Sequence, residues 1–390
     1  MAARSSYPQG RNPLRSLQVA AGVAVLAVGC GDGSPPDTEG APIGRRPTGV
    51  SVPAEVTKGA HPARRCGECH AAIHQTWAAS AHANADRSPI YRAMRRASGR
   101  DDCDRCHAPL RAWVPGDERL AAEGVTCDVC HTLRDVRPDR HDAALELDLT
   151  SAVRYGPRCD AEDHYFHRMG CSPLFSRSEL CGGCHQRNAH TSEAVEFGHD
   201  GPAAVADVTC QSCHMPGVLG EVAVGWSAGT TVSDHGMYGP GDELRARAIE
   251  LRLRVVPEDR RLRVELEVTN ADAGHSLPSG LPGRRIVVRV AGIGADGAAI
   301  AGDEWIYAKI LVDGSGVEVP FHVAQRVQSD TCLAPGEVRH ERSWLPRDGV
   351  VEVRAEVLEH ALSATIAKAV GVSMPEPVQL TSARAEVPPP

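Results

Sequence analysis

Between residues 66 and 214 the chain repeats Cys-x-x-Cys-His five times. The copies begin at Cys66, Cys103, Cys127, Cys181 and Cys210. Their second cysteines are Cys69, Cys106, Cys130, Cys184 and Cys213, and their histidines are His70, His107, His131, His185 and His214. Shuffling 14 cysteines and 18 histidines over 390 residues would give about 0.02 such motifs, so the repeats are not chance. The spacing reads as covalent attachment of c-type haem: two thiols add across the vinyl groups and the adjacent imidazole binds iron. A zinc ribbon needs its C-x-x-C pairs two at a time and has no use for a His after each. A thioredoxin-like pair would stand alone beside a strand-helix unit. A chain that must house five porphyrins in so short a stretch takes most of its core from them. Without them it is expected to bury too little apolar surface to fold.

Covalent haem fixes a compartment, and the N-terminus agrees with it. Residues 1–29 read as an export leader, with Arg4, Arg11 and Arg15 ahead of an apolar run from Leu17 to Val28 that is too short to span a bilayer. The run ends in Leu26-Ala27-Val28-Gly29-Cys30, which resembles a bacterial lipobox with lipidation of Cys30. The expected location is the periplasmic or cell-surface side of a bacterial membrane, held there by the lipid. Loss of three arginines with the leader takes the formal charge from −8 to −11, and haem propionates add to it. Nucleic acid is thereby disfavoured as a partner, and a basic patch on a redox partner is favoured. That partner is another cytochrome or a membrane quinol-linked donor.

Four regions follow along the chain: the leader 1–29, a Gly/Pro-rich tether 30–60, a pentahaem region 61–241 and a β region 242–390. The haem region is loop-rich and mainly α, with short helices such as 71–80 and a turn at Pro115-Gly116-Asp117. In the β region, Leu251, Leu253 and Val255 alternate with arginines. Leu262, Val264, Leu266 and Val268 alternate with Arg and Glu, and Val351, Val353, Ala355 and Val357 show the same period. Period two with turns at Pro257-Glu258-Asp259, Ala295-Asp296-Gly297 and Asp313-Gly314-Ser315-Gly316 predicts an all-β, sandwich-like domain of roughly seven strands. The fold class expected is therefore mixed.

Each iron has a sixth position, and thirteen histidines remain outside the motifs. Methionine is scarce, so bis-histidine ligation is the expectation, but spacing alone selects no ligand. Cys66–Ala83 (CGECHAAIHQTWAASAHA), Glu123–His131, His167–His185, Cys210–Pro216, Asp234-His235-Gly236 and Gly274–Gly280 together resemble multihaem cytochromes of the cytochrome c-554 type, over about residues 60–345. The resemblance implies His82, His167 and His235 as distal ligands. His275, in a Gly/Pro loop between strands, is a fourth candidate that could reach a haem across the domain interface. His74, His141, His164, His190 and His199 compete for any remaining site. His74 departs from the family, where an aromatic residue is usual, and the tetrahaem members have one motif fewer. Of the remaining cysteines, Cys159 and Cys171 could pair, and Cys332 is expected as a small buried residue in a strand.

Two functions fit. One is an electron carrier: five closely spaced haems on a lipid tether, with no catalytic residue. The other is an oxidoreductase acting on a small nitrogen or sulfur species at one open haem, where Arg154, Tyr155, His164 and Tyr165 could line a pocket. All five motifs end in His, so the Lys that marks one kind of catalytic haem is absent, and the carrier is the stronger expectation.

Overall fold

The computed structural model describes residues 59–137, 145–164, 166–185, 208–225, 229–237 and 243–388. The leader, Cys30, nearly all of the tether, Tyr165, His141, His190 and His199 lie outside them.

Two kinds of architecture follow one another. From residue 59 to 237 the helices are short: the longest are Ala71–Ala79 and Pro89–Ser98, and the others run four to seven residues. Pro89–Ser98 has full punctuation. The Ser88 hydroxyl accepts from the Tyr91 amide, Pro89 fills the first turn, and Gly99 ends the helix with φ 65°. The sequence shows little strand pattern here, yet three two-stranded ladders are present. They are β1 (Leu133–Val136) with β2 (Leu145–Leu147), β3 (Val153–Gly156) parallel to β4 (Arg168–Cys171), and β5 (Gly217–Gly220) with β6 (Thr230–Ser233). At three or four residues each they are too short for periodicity to reveal. The apolar cluster of this region is small: Leu110, Leu120, Val129, Leu133, Val136, Leu145 and Leu147.

The C-terminal region is β-rich. One antiparallel sheet has the order β10 (Ala299–Tyr307), β9 (Arg285–Gly294), β14 (Val350–His360), β15 (Val378–Glu386). The other has the order β13 (Val338–Pro346), β8 (Arg261–Asn270), β7 (Ile249–Glu258), and a hairpin of β11 (Lys309–Val312) with β12 (Arg326–Asp330) stands beside them. The alternation in β8 is carried through: Leu262, Val264, Leu266 and Val268 are at most 1 % exposed. Each contributes about 1.5–3 kcal/mol by burial. Val288, Val290, Val353, Ala355 and Val357 meet them in one core. Val351 breaks the pattern and faces solvent. The register shifts between Val350 and Glu352, so the bulge turns Val350 inward in its place. Pro257 lies inside β7, opposite Leu262, on a sheet edge where a missing donor is tolerated. Cys332 also departs from expectation. It sits half-buried just past β12, because the neighbouring Leu333 takes the core position and pairs with Leu277.

A helix at Ala364–Val370, capped by the Ser363 hydroxyl and by Gly371 at φ 69°, joins the two regions. Its Ile366 and Ala367, with Leu362, pack on Met94 of the Pro89–Ser98 helix.

Candidate haem sites

Each motif occupies a helical turn. His70 N donates to Cys66 O at 2.8 Å and His107 N to Cys103 O at 3.2 Å, while Cys127–His131 and Cys210–His214 are helices in their own right. Residues three and four apart share a helical face, so both thiols and the imidazole of each motif project to one side. Gly67, inside the first motif, is required by close packing: a Cβ there would stand 2.7 Å from His74 Cγ. The motifs also lie against one another. The thiol of Cys66 hydrogen-bonds that of Cys127, Cys181 that of Cys210, and Cys106 that of Cys184. First packs with third, fourth with fifth, and second with fourth.

Four motif histidines face a second imidazole from a distant part of the chain. Ring centres are 6.3 Å apart for His70 and His167, 6.1 Å for His82 and His185, 6.3 Å for His131 and His235, and 6.3 Å for His214 and His275. An iron between two imidazoles needs two bonds of about 2 Å, the usual metal–imidazole length, plus about 1.1 Å from nitrogen to ring centre on either side. That totals about 6.2 Å, so the residues fit bis-histidine haem. Neutral imidazole is the ligating form, and the protein favours it. Burial, then the neighbouring His185, pushes His82 down to about 4. Burial does the same for His131, to about 4, against a hydrogen bond to Tyr155 that raises it. Burial, then His70 and Arg154, brings His167 to about 4.

The outer nitrogens are fixed by backbone carbonyls, which no sequence motif announces. His70 Nδ1 meets Val222 O at 2.6 Å, His131 Nδ1 meets Tyr155 O at 2.7 Å, and His214 Nδ1 meets Met237 O at 2.9 Å. A donor N–H on that side leaves Nε2 free for metal. Among the distal imidazoles, His235 Nδ1 meets Ser233 O at 2.8 Å and His275 Nδ1 meets Ser276 O at 3.0 Å.

Local structure explains three of the facing positions. The His82 carbonyl accepts from the Val125 amide at 3.0 Å, and a Cβ on Gly124 (φ 71°) would stand 2.4 Å from that oxygen. His167 stands immediately before β4, on a loop closed by the Cys159–Cys171 disulfide. His275 follows β8, where the fully buried Asn270 amide donates to His275 O at 2.9 Å and to Leu333 O at 3.0 Å.

His107 is different. Its ring stacks on Tyr91 at 4.1 Å and 15°, and it hydrogen-bonds the backbone of Ala85. Among the described residues no imidazole faces it at the spacing of the other four. The Tyr91 hydroxyl donates to buried Asp104, within the same motif, and Arg95 and Arg111 pair with that carboxylate at 2.8 and 2.9 Å.

The residues suggested for a substrate pocket have structural partners. Arg154 Nε pairs with Asp128, the first x of the third motif, at 2.8 Å, with the two side chains 12 % and 1 % exposed. Tyr155 supplies the carbonyl to His131. His164 N donates to His167 O. Among the described residues no three metal-binding side chains gather as a zinc site would require.

Residues 65–132 match the family described as cytochrome c554 and c-prime. The penta-heme cytochrome c552 from Thermochromatium tepidum shares the fold at TM-score 0.66 and 22 % identity, covering 86 % of this chain and all of that one. Beta-glucosidases from Kluyveromyces marxianus (TM-score 0.17, 11 % identity, 43 % of this chain and 16 % of that chain) and Thermotoga neapolitana (0.13, 15 %, 42 % and 19 %) are too dissimilar to bear on the argument. No curated protein matches the chain. With five motifs on helical turns and imidazoles set against them, the protein is a multihaem c-type cytochrome. Its residues 65–132 are similar to the cytochrome c554 and c-prime family, and a β-rich C-terminal region follows them.

Proposed function

We propose that the chain carries electrons through five covalently bound haems, outside the cytoplasm and tethered by a lipid on Cys30. The observation that carries the reading is the set of four imidazole pairs at 6.1–6.3 Å, a spacing at which both imidazoles of a pair would hold one iron and a substrate would find no place on it. Cys66 and Cys69, Cys103 and Cys106, Cys127 and Cys130, Cys181 and Cys184, and Cys210 and Cys213 would hold the porphyrins. The five motif histidines would bind iron, opposed by His167, His82, His235 and His275. Haem would supply one-electron chemistry, and the polypeptide orients the imidazoles through the carbonyls that hold their outer nitrogens. The side-by-side motifs favour short steps between haems. The acidic chain favours a basic redox partner, a cytochrome or quinol-linked donor.

His107 supports a second reading. With Tyr91 rather than an imidazole as its stacked neighbour, the second haem would have a sixth position open to a small nitrogen or sulfur species. Low-temperature EPR of the ferric holoprotein, made in a host that matures c-type haem, tests both, with intact mass counting the haems. Five haem additions, four low-spin bis-imidazole signals and a fifth signal indifferent to nitrite and hydroxylamine support the carrier. A stoichiometric high-spin signal that shifts with either compound, with turnover under a reduced dye, favours the enzyme. A mass showing zinc or no haem refutes both. Export and lipidation are tested by fractionation: Cys30→Ala is expected to release the protein from the membrane.

A further inference from the structure

Two of the iron sites are tied together by one short strap, Ser233–Met237. At its start, the Ser233 carbonyl holds His235 Nδ1 at 2.8 Å, while the His235 ring faces His131 of the third motif. At its end, the Met237 carbonyl holds Nδ1 of His214, in the fifth motif, at 2.9 Å. The residue that shapes the strap between these contacts is Asp234, only 6 % exposed. Its amide donates to Pro216 O at 2.9 Å, two residues beyond His214, which anchors the strap to the fifth motif. Its Oδ1 accepts from the Gly236 amide at 2.8 Å, closing a side-chain turn. Gly236 leaves room for that approach, since a Cβ there would stand 3.2 Å from the same oxygen. Out of the turn comes Met237 with φ 67°, a left-handed conformation that a residue with a side chain adopts only when its surroundings impose it. In that conformation its carbonyl reaches His214.

We propose that Asp234, which binds no iron, is a positioning residue for two irons at once: it orients His235 as a ligand of the third haem and fixes His214 as a ligand of the fifth. The inference rests on the haem reading above. Partners of this kind typically cost 10- to 100-fold in metal affinity or activity when lost. Loosening the strap would free the His235 ring from the Ser233 carbonyl and take the Met237 carbonyl away from His214 Nδ1.

The test uses the holoprotein with Asp234→Ala and Asp234→Asn; the amide of the second keeps an acceptor oxygen. In Asp234→Ala the third haem is expected to bind cyanide about tenfold more tightly than in the parent. The reduction equilibrium of the fifth haem should shift about tenfold, which is about 59 mV for one electron. The haems on His70 and His185 keep their EPR signals, and Asp234→Asn restores the parent values for both affected haems. His235→Met and His275→Met identify which signals belong to the third and fifth haems. If Asp234→Ala gives no holoprotein, Gly236→Ala, which crowds the same oxygen, should produce the same paired shift. A change confined to one haem, an equal change in all, or failure of Asp234→Asn to recover the parent values overturns the proposal. A parent protein lacking bis-imidazole signals would instead overturn the haem reading on which it rests.

Discussion

Removing the Arg154 guanidinium separates two ideas about that residue, because its partner cannot reach water. Asp128 is 1 % exposed and Arg154 12 %, and their contact is 2.8 Å. The other Asp128 oxygen accepts from the His61 amide at 2.6 Å. Arg154 also donates to the carbonyls of Val153 and Gly59 at 3.1 and 3.2 Å, so its fork is spent on the fold. Arg154→Met would leave a buried carboxylate without its cationic partner, a situation that costs about 3–5 kcal/mol. With a urea slope of about 3 kcal/mol per M, the midpoint of the holoprotein should fall by about 1 M or more. Asp128→Asn removes the charge that needs compensation, so the double variant should recover much of the loss, with a coupling of about 2 kcal/mol or more. The assay is urea unfolding of the parent, both single variants and the double variant, followed by circular dichroism. A cost below about 1 kcal/mol for Arg154→Met with no coupling to Asp128 would refute the reasoning. If that variant also lost nitrite or hydroxylamine reduction, the guanidinium would serve a substrate instead.

Three further outcomes are expected. His275→Ala should convert one low-spin signal to high-spin and leave the rest, because only His214 would lose its facing imidazole; EPR checks this. Ile366→Ala, at the seam between the haem region and the β region, should cost about 2–5 kcal/mol in the same urea assay, since Ile366 is 1 % exposed against Met94 and Leu362. The third concerns acid. Burial raises the Asp104 carboxyl, but the Tyr91 hydroxyl, Arg95 and Arg111 outweigh it and hold it below its ordinary 3.8. The unfolded chain therefore takes up this proton first. The stabilisation is complete above about pH 3.8 and drains as pH falls through the lower folded value, so Asp104→Asn should flatten the acid limb of an unfolding profile read by circular dichroism.

What could be read in the sequence, and what could not, divides along the range of the interactions. A Cys-x-x-Cys-His turn is specified within five residues, and the β8 alternation Leu262, Val264, Leu266, Val268 declares its buried face locally. The Val350/Val351 bulge is decided by the neighbouring strand, so the alternating pattern assigned Val351 to the wrong side. The Ala364–Val370 helix had legible caps in Ser363 and Gly371 but only seven residues between them, too few for a period to show. The partners of the motif histidines are the least local of all. The residues quoted for the family likeness implied His82, His167 and His235, and nothing in their own spacing says which iron each would meet. The structure sets His82 against His185 of the fourth motif, while the Val125 amide holds the His82 carbonyl beside the third. His275 meets His214 from the β region, through a turn that the Asn270 amide orients. A proximal ligand is thus written next to its cysteines, whereas a facing imidazole depends on the packing of distant elements. By the same logic, changes outside the motifs should alter particular irons while leaving haem attachment intact: Asp234 the third and fifth together, Asn270 the fifth alone.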